Sequence, residues 1–299
     1  MSTAALRRAF DRLRASRAAD ADTAEHALTD ALRPLAGSVW PEVAWRSSRL
    51  TGTGYPVELA WASRDAAVRW TCEVAGPETP EADRLRLARR VAGSAVDAGP
   101  WLLAQREHRL LWGAWLGWRQ LDGVRHRKIY LELPDGRVPA GPWSAAAAEL
   151  DSRVGGLTWR MAGLNDDGSV ELYARALDPT WTALTSAAAL VGDGSRLVGL
   201  VGGLVGYPWP CGLSLVLAPA GTPVALTCFA IAKTVWACDA AARAAVLRTT
   251  DTVDHPAASR QLYAALSAGP DDGRWRHGMV GAGVDSTGRA WLQAGLRPT

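Results

Sequence analysis

Lys128, Tyr130 and Glu132 lie on one side of the segment RHRKIYLELP (residues 125–134), and Ile129, Leu131 and Leu133 on the other. Successive side chains of a β-strand point to opposite faces. One face is therefore apolar, and the other offers a cation, a phenol and a carboxylate. Lys128 is one of only two lysines in a chain with 31 arginines. These residue types suggest a definite chemistry. Fixed cations hold an anion through charge-assisted hydrogen bonds. Aromatic faces attract a cation, by about 0.5–2 kcal/mol each. A wall carrying both can stabilise a departing anion while it shields the cation left behind. The polar face either looks out to water or lines an enclosed space.

Residues of this kind recur at a long period. YPVELAWAS and AAVRWTCEV form a hairpin with a turn at Arg64 and Asp65, and a helical region follows from PEADRLRLARR into PWLLAQREHR. LLWGAWLGWRQL pairs with RHRKIYLELP, before the helix WSAAAAELDSRV. LTWRMAGL and SVELYARALD flank the turn NDDG, and helices continue through Gly206. CGLSLVLAPAGTPVALTCFAI precedes further helices, and RHGMVGAGVDSTGRAWLQAGL is the last hairpin. NDDG, DSTG and APAG are ordinary hairpin connections between alternating runs. The chain thus reads as five hairpins, four followed by helical segments, in divergent repeats of about 45 to 60 residues. The first 36 residues read as one or two amphipathic helices, and residues 41–299 as the repeats of a single domain.

Aligned on Lys128, the second strand of each hairpin has one apolar face: Val68/Trp70/Cys72, Ile129/Leu131/Leu133, Val170/Leu172/Ala174, Leu226/Cys228/Ala230 and Ala290/Leu292/Ala294. The opposite face reads Arg69/Thr71/Glu73, Lys128/Tyr130/Glu132, Glu171/Tyr173/Arg175, Thr227/Phe229/Ile231 and Arg289/Trp291/Gln293. Four of the five place an aromatic at the same position. The apolar face must pack on the helices. Ten antiparallel strands rarely stay open and flat, because edges are a liability. Closure gives an α+β fold: a ten-stranded antiparallel barrel with helices outside and the Arg/Lys/Tyr/Trp face inside, wide enough for a ligand. A solvated polar sheet face is the alternative, but it would favour Thr, Lys and Glu over aromatics.

Composition excludes several classes. A net charge of +3 points to neither nucleic acid nor an anionic membrane surface. Arg excess with abundant Ala and Gly fits a GC-rich bacterial genome. Cys72, Cys211, Cys228 and Cys238 show no zinc-site spacing and suit reduced thiols in the cytoplasm. No apolar core of a signal peptide is visible near the N-terminus. Leu197–Ala232 carries no charge, but Gly and Pro interrupt it too often for a membrane span. DDxxD, GxGxxG, P-loop and GxSxG motifs are absent.

LTGTGYPVELAWAS (50–63), VRWTCEV (68–74) and KIY (128–130) resemble motifs of the ABBA-type aromatic prenyltransferases, which include dimethylallyltryptophan synthases and cyanobactin peptide prenyltransferases. The architectural resemblance covers nearly the whole chain, and the motifs about 30 residues. It implies five ββαα repeats forming a PT barrel. It also implies transfer of a C5 to C15 prenyl group from an allylic diphosphate to an indole, tryptophan or other arene, free or within a peptide, in secondary metabolism. By the same resemblance Glu58 handles the acceptor proton, and Arg69 and Lys128 bind diphosphate. Tyr130 and Tyr173 shield the carbocation, with Phe229 and Trp291 as aromatic stand-ins. The third repeat departs from the family pattern: Ser169 and Glu171 replace two cations, and Thr227 stands where another is expected. Arg289 could restore one charge, and Arg175 or His277 another. No cofactor is required, although Mg²⁺ held at Glu171 could compensate for the missing charge.

Each residue also has a structural reading. Glu58 could be a surface carboxylate at a strand start, and Arg69 and Lys128 could pair with neighbouring glutamates. Tyr173 and Trp291 could be core aromatics, and Trp112, Trp115 and Trp118 suit packing. His108, His126 and His255 have no ligand spacing. A barrel that binds ligands without prenyl transfer, or with changed chemistry, therefore stands as the alternative. The discriminator is whether Arg69, Lys128 and Arg289 converge on one anion-sized site.

Overall fold

The computed structural model describes residues 4–33, 48–52, 54–92, 98–106, 108–206, 210–269 and 273–298. Parts of several sequence expectations fall outside the described residues: the end of the N-terminal helical region, the start of the first repeat, Thr53, 93–97, 207–209 and 270–272. The element order is α1 (Ala4–Leu32), β1 (Val57–Ala62), β2 (Val68–Glu73), α2 (Glu81–Ala92), α3 (Gly99–Arg106), β3 (Ala114–Leu121), β4 (Val124–Glu132) and α4 (Ser144–Val154). It continues with β5 (Thr158–Asn165), β6 (Val170–Ala176), α5 (Trp181–Ala188), α6 (Gly194–Val205), β7 (Cys211–Leu217) and β8 (Pro223–Ile231). The chain then adds α7 (Ala232–Val235), α8 (Asp239–Thr250), α9 (Ala257–Ser267), β9 (His277–Asp285) and β10 (Ala290–Leu296).

The ten strands form one closed antiparallel barrel in which each pairs with its sequence neighbours and β10 returns to β1. The seam runs from Leu59 opposite Leu296 to Ala62 opposite Gln293. The hairpin turns follow from local chemistry. In the last one, the Asp285 carboxylate accepts from the backbone N–H of Thr287 at 3.0 Å and of Arg289 at 3.1 Å, and Gly288 takes a φ of 79°. Because every hairpin has the same sense, all five turns gather at one end of the barrel, and the helical connections enter at the other.

Period-two alternation separates the two faces of each strand. The fifteen apolar-face residues of the second strands are nearly all buried against the helices, Ile129, Leu131, Leu172 and Leu292 completely. Outward-facing indoles fasten those helices. Trp70 Nε1 donates to the Ala24 carbonyl of α1 at 2.9 Å, and Trp61 Nε1 to the Ser259 carbonyl of α9 at 2.8 Å. The N-terminal region is one helix that kinks at Arg17, where φ is −146°. Among the described residues no helix is long and apolar enough to cross a membrane. The uncharged stretch from Leu197 divides instead into the end of α6, the strands β7 and β8, and the first residue of α7.

Candidate active site

Strand register assigns the inward side chains. Glu58 lies opposite Thr71, Arg69 opposite Arg119, Lys128 opposite Gly117, and Tyr173 opposite Ser214. The lumen they line changes character from the hairpin-turn end to the helical end.

Midway, the Lys128 ammonium is in an ion pair with Glu171 and also donates to the Tyr173 hydroxyl at 3.1 Å. It lies 4.9 Å from the ring centre of Tyr130 and 5.4 Å from that of Tyr173. Burial works to lower the Lys128 pKa, but the Glu171 carboxylate outweighs it and holds the pKa raised. Burial likewise opposes the ionised Glu171, yet Lys128 and the Ser214 hydroxyl, which donates to Glu171 Oε1, keep its pKa lowered. Both carboxylate oxygens are thus engaged by protein groups. Glu171 is the anchor of Lys128. Among the described residues no cluster of His, Cys, Asp and Glu is arranged to hold a metal.

Towards the helical end the aromatics gather. The ring centres of Tyr130 and Tyr173 are 5.9 Å apart, and those of Tyr173 and Phe229 are 6.4 Å apart. Tyr173 and Phe229 border a cavity of about 650 Å³ that is also lined by Met161, Trp115, Trp112 and Met279, with Arg160 and Arg175 exposed at its mouth. Trp112 and Trp115 stack at 3.7 Å. Their loop is held by Glu132, whose carboxylate accepts from the backbone N–H groups of Leu111, Trp112 and Gly113 at 2.7–3.0 Å. Glu132 is therefore a loop anchor and does not pair with Lys128. Trp115 lines the site, whereas Trp118 faces outward and stacks on Trp70 at 5.7 Å.

Glu58 stands in the same region, over Gly295 and beside Gly278. Among the described residues its carboxyl has no hydrogen-bond partner, and burial alone pushes its pKa up to about 7. Neither a surface carboxylate nor a cross-strand salt bridge describes it. A lone buried carboxyl that titrates near neutrality can accept and release a proton.

The hairpin-turn end is basic. Asp65 accepts from Arg69 at 2.5 Å and from Arg119 at 3.2 Å. Burial opposes the ionised Asp65, but Arg69 outweighs it and holds the pKa down. The Arg64 guanidinium lies 4.4 Å above the Trp291 ring. Trp291 itself is 1% exposed and packs with Ala62, Ala225 and Val216, apart from the Tyr130–Tyr173–Phe229 group. Burial, then repulsion from Arg69, lowers the Arg64 pKa to about 10, so it is still cationic at neutral pH.

Several sequence-selected cations do not converge. Arg289 is exposed and donates to the Arg64 carbonyl. It belongs to the turn, one residue before β10 begins, so the alternation of that strand does not control it. Arg175 is at the opposite mouth, exposed. His277 faces the helices, bridging Asp239 at 2.9 Å and the Tyr263 hydroxyl at 2.8 Å. Glu73 pairs with Arg84 of α2 at 3.0 Å and not with Arg69. Sequence reasoning missed Arg64 and Arg119, which lie on a turn and on a first strand, because only second strands were aligned. It also missed the glycines that the large inward side chains lean over. A Cβ on Gly295 would meet Glu58 at 2.6 Å, one on Gly117 would meet Tyr130 at 2.9 Å, and one on Gly212 would meet Phe229 at 2.0 Å. Gly163 does the same for Lys128 at 2.2 Å and Gly283 for Trp291 at 2.4 Å. None of these five has a positive φ, so what they supply is room.

The sequence matches no protein-family model and no curated protein. Solved structures do match. 5-Dimethylallyl tryptophan synthase from Streptomyces coelicolor, solved with DMASPP and Trp, superposes with a TM-score of 0.75 at 17% identity, covering 97% of this chain and 93% of that one. PriB in its binary complex with product diphosphate gives 0.75 at 16%, covering 98% and 95%. AnaPT from Neosartorya fischeri gives 0.71 at 13%, covering 97% and 91%. The chain has the ABBA barrel fold of these aromatic prenyltransferases.

Proposed function

We propose that this barrel transfers a prenyl group from an allylic diphosphate to an aromatic acceptor such as an indole, free or within a peptide. The observation that carries the reading is Glu58: a carboxyl without a hydrogen-bond partner among the described residues, its pKa pushed up to about 7 by burial, in one lumen with the Tyr130–Tyr173–Phe229 group. The fold shared with enzymes solved with DMASPP, Trp or diphosphate supports it.

The chemistry proceeds as follows. The allylic C–O bond breaks and its electron pair leaves with the diphosphate oxygen. Tyr130, Tyr173 and Phe229 present π-faces to the allyl cation and exclude water. An acceptor ring carbon donates a π pair to form the new C–C bond. The arenium ion then gives its proton to the Glu58 carboxylate, and the C–H pair restores aromaticity. Lys128, tied to Glu171, keeps Tyr173 oriented through its hydroxyl. The Arg160 and Arg175 pair at the cavity mouth suits an acceptor that carries a carboxylate, and secondary metabolism suits such a product.

The test is incubation with dimethylallyl or geranyl diphosphate and an indole, tryptophan or Trp-containing peptide, read by mass spectrometry. The expected result is a prenylated acceptor plus diphosphate, with turnover falling about 10²–10⁴-fold in Glu58→Gln. Wild-type turnover should rise with pH up to about 7, as Glu58 ionises. An undiminished Glu58→Gln would remove the role given to that residue.

A second reading has its own observation. Lys128 is neutralised by Glu171 and Arg69 by Asp65, so two expected diphosphate contacts are already satisfied by protein carboxylates. A barrel that binds an aromatic ligand without prenyl transfer fits that compensation. Saturable indole binding with no consumption of any prenyl diphosphate would favour it.

A further inference from the structure

We infer that the lumen's anion site lies at its hairpin-turn end, where Arg64, Arg69 and Arg119 form a socket for a diphosphate or phosphate-ester group. The inference rests on the prenyl-transfer reading for the identity of the ligand, though not for the existence of the socket.

Three guanidiniums share one carboxylate there. Asp65 serves Arg69 and Arg119, at 2.5 and 3.2 Å, and the formal charge of the four groups is +2. Among the described residues the Arg64 guanidinium has no hydrogen-bond or ion-pair partner, although the Arg64 carbonyl accepts from Arg289. The Arg64 guanidinium rests on the Trp291 ring and feels repulsion from both other arginines. Arg119 keeps a buried Nε–H without a hydrogen-bond acceptor. Partly buried cations in excess attract a counter-anion, and guanidinium donors without a protein acceptor offer it hydrogen bonds. A phosphate group supplies both the charge and the acceptors, because the planar fork of Arg matches two phosphate oxygens. Lys128 is the cation that the family resemblance would have used, yet Glu171 already neutralises it. The positive charge available for an anion has therefore moved towards the hairpin turns.

The place agrees with the chemistry. Arg69 and Arg119 are cross-strand partners on β2 and β3, and Arg64 reaches over from the β1–β2 turn. Arg119 is 38% exposed at its side chain, so the socket is open to solvent at the hairpin end. The Tyr130–Tyr173–Phe229 group lies deeper, beyond Lys128. A donor whose anionic head occupies the socket would direct its apolar tail towards those rings.

The experiment is calorimetric titration of the full chain with inorganic pyrophosphate, inorganic phosphate and dimethylallyl thiolodiphosphate, for wild type, Arg64→Gln, Arg119→Gln and Asp65→Asn. The expected result is pyrophosphate binding that weakens at least tenfold in each Arg variant and tightens in Asp65→Asn. Thermal melts establish that the variants fold. Trp291 under Arg64 gives a second readout: pyrophosphate should change the indole fluorescence of wild type and not of Trp291→Phe. Wild type that ignores pyrophosphate, or Arg variants that bind it unchanged, would overturn the proposal. The two readings fail differently. Thiolodiphosphate that binds no tighter than pyrophosphate, with both lost in Arg64→Gln, keeps the socket and removes the prenyl donor. Tight thiolodiphosphate binding that survives in Arg64→Gln and Arg119→Gln removes the socket and keeps the donor.

Discussion

At the scale of the residue, the lumen is organised by which charges have partners. Glu58 has none among the described residues, and its pKa is about 7 against an ordinary value of 4.5. Between those values the folded state holds more protons than the unfolded state. Stability therefore falls as pH rises from 4.5 to 7, by up to about 3 kcal/mol from this group. Glu58→Gln should lose that slope, so its gain in stability over wild type should grow between pH 4.5 and pH 8 and then level off. Denaturant unfolding of both proteins across that range would show it, and parallel curves would mean that Glu58 is solvated. Glu171 is the opposite case, a carboxylate held ionised by its partners. Glu171→Gln should leave Lys128 unpaired, cost up to about 3 kcal/mol, and raise pyrophosphate affinity about tenfold by removing a negative charge from the lumen. Equal pyrophosphate affinity in that variant would show that the Lys128–Glu171 pair lies outside the anion's field.

At the scale of the element, five large inward side chains, Glu58, Lys128, Tyr130, Phe229 and Trp291, each lean over a glycine of a neighbouring strand that makes room for it. Phe229 on β8 occupies the space a Cβ on Gly212 of β7 would fill. Gly212→Ala should keep the barrel's circular dichroism while displacing the Phe229 ring, and should weaken binding of a prenyl thiolodiphosphate without weakening that of pyrophosphate. Equal loss for both ligands would place Phe229 in the structural frame alone. These glycines also bear on what the sequence made legible. Alternation in KIYLEL and VELYARA, with ordinary turn residues, sufficed for the hairpins, the apolar outer faces and barrel closure, because each of those depends on local periodicity. The cation cluster did not follow from periodicity. Arg64 belongs to a turn, where no strand alternation fixes direction, and Arg119 to the first strand of its hairpin. Arg289 lies just before β10, where strand alternation does not fix its direction either, and is exposed. Ion-pair partners were equally hidden, since Asp65 and Glu171 meet their cations only once register is fixed. A Gly within an alternating strand was the signal available, as it marks where a neighbouring side chain lies over the backbone.

At the scale of the whole molecule, function and closure depend on one another. The β1–β10 seam joins residues more than 200 positions apart and brings Glu58 over Gly295 and Arg64 over Trp291. Deleting residues 290–299 would remove β10 and leave nine strands with two open edges, at β1 and β9. The shortened chain should lose cooperative unfolding and aggregate, whereas a retained sharp melt would mean that the helices alone hold the sheet curved. With the seam closed, the barrel reads from a basic hairpin end, through a self-neutralised Lys128–Glu171 pair, to an aromatic pocket beside Glu58. The measurement that tests this polarity most directly is a crystal structure with dimethylallyl thiolodiphosphate. The account predicts diphosphate oxygens within hydrogen-bond distance of Arg64 and Arg119, with the allyl tail against Tyr130, Tyr173 and Phe229 on the side of Glu58. A diphosphate bound at the Arg160 and Arg175 mouth, or outside the barrel, would contradict it.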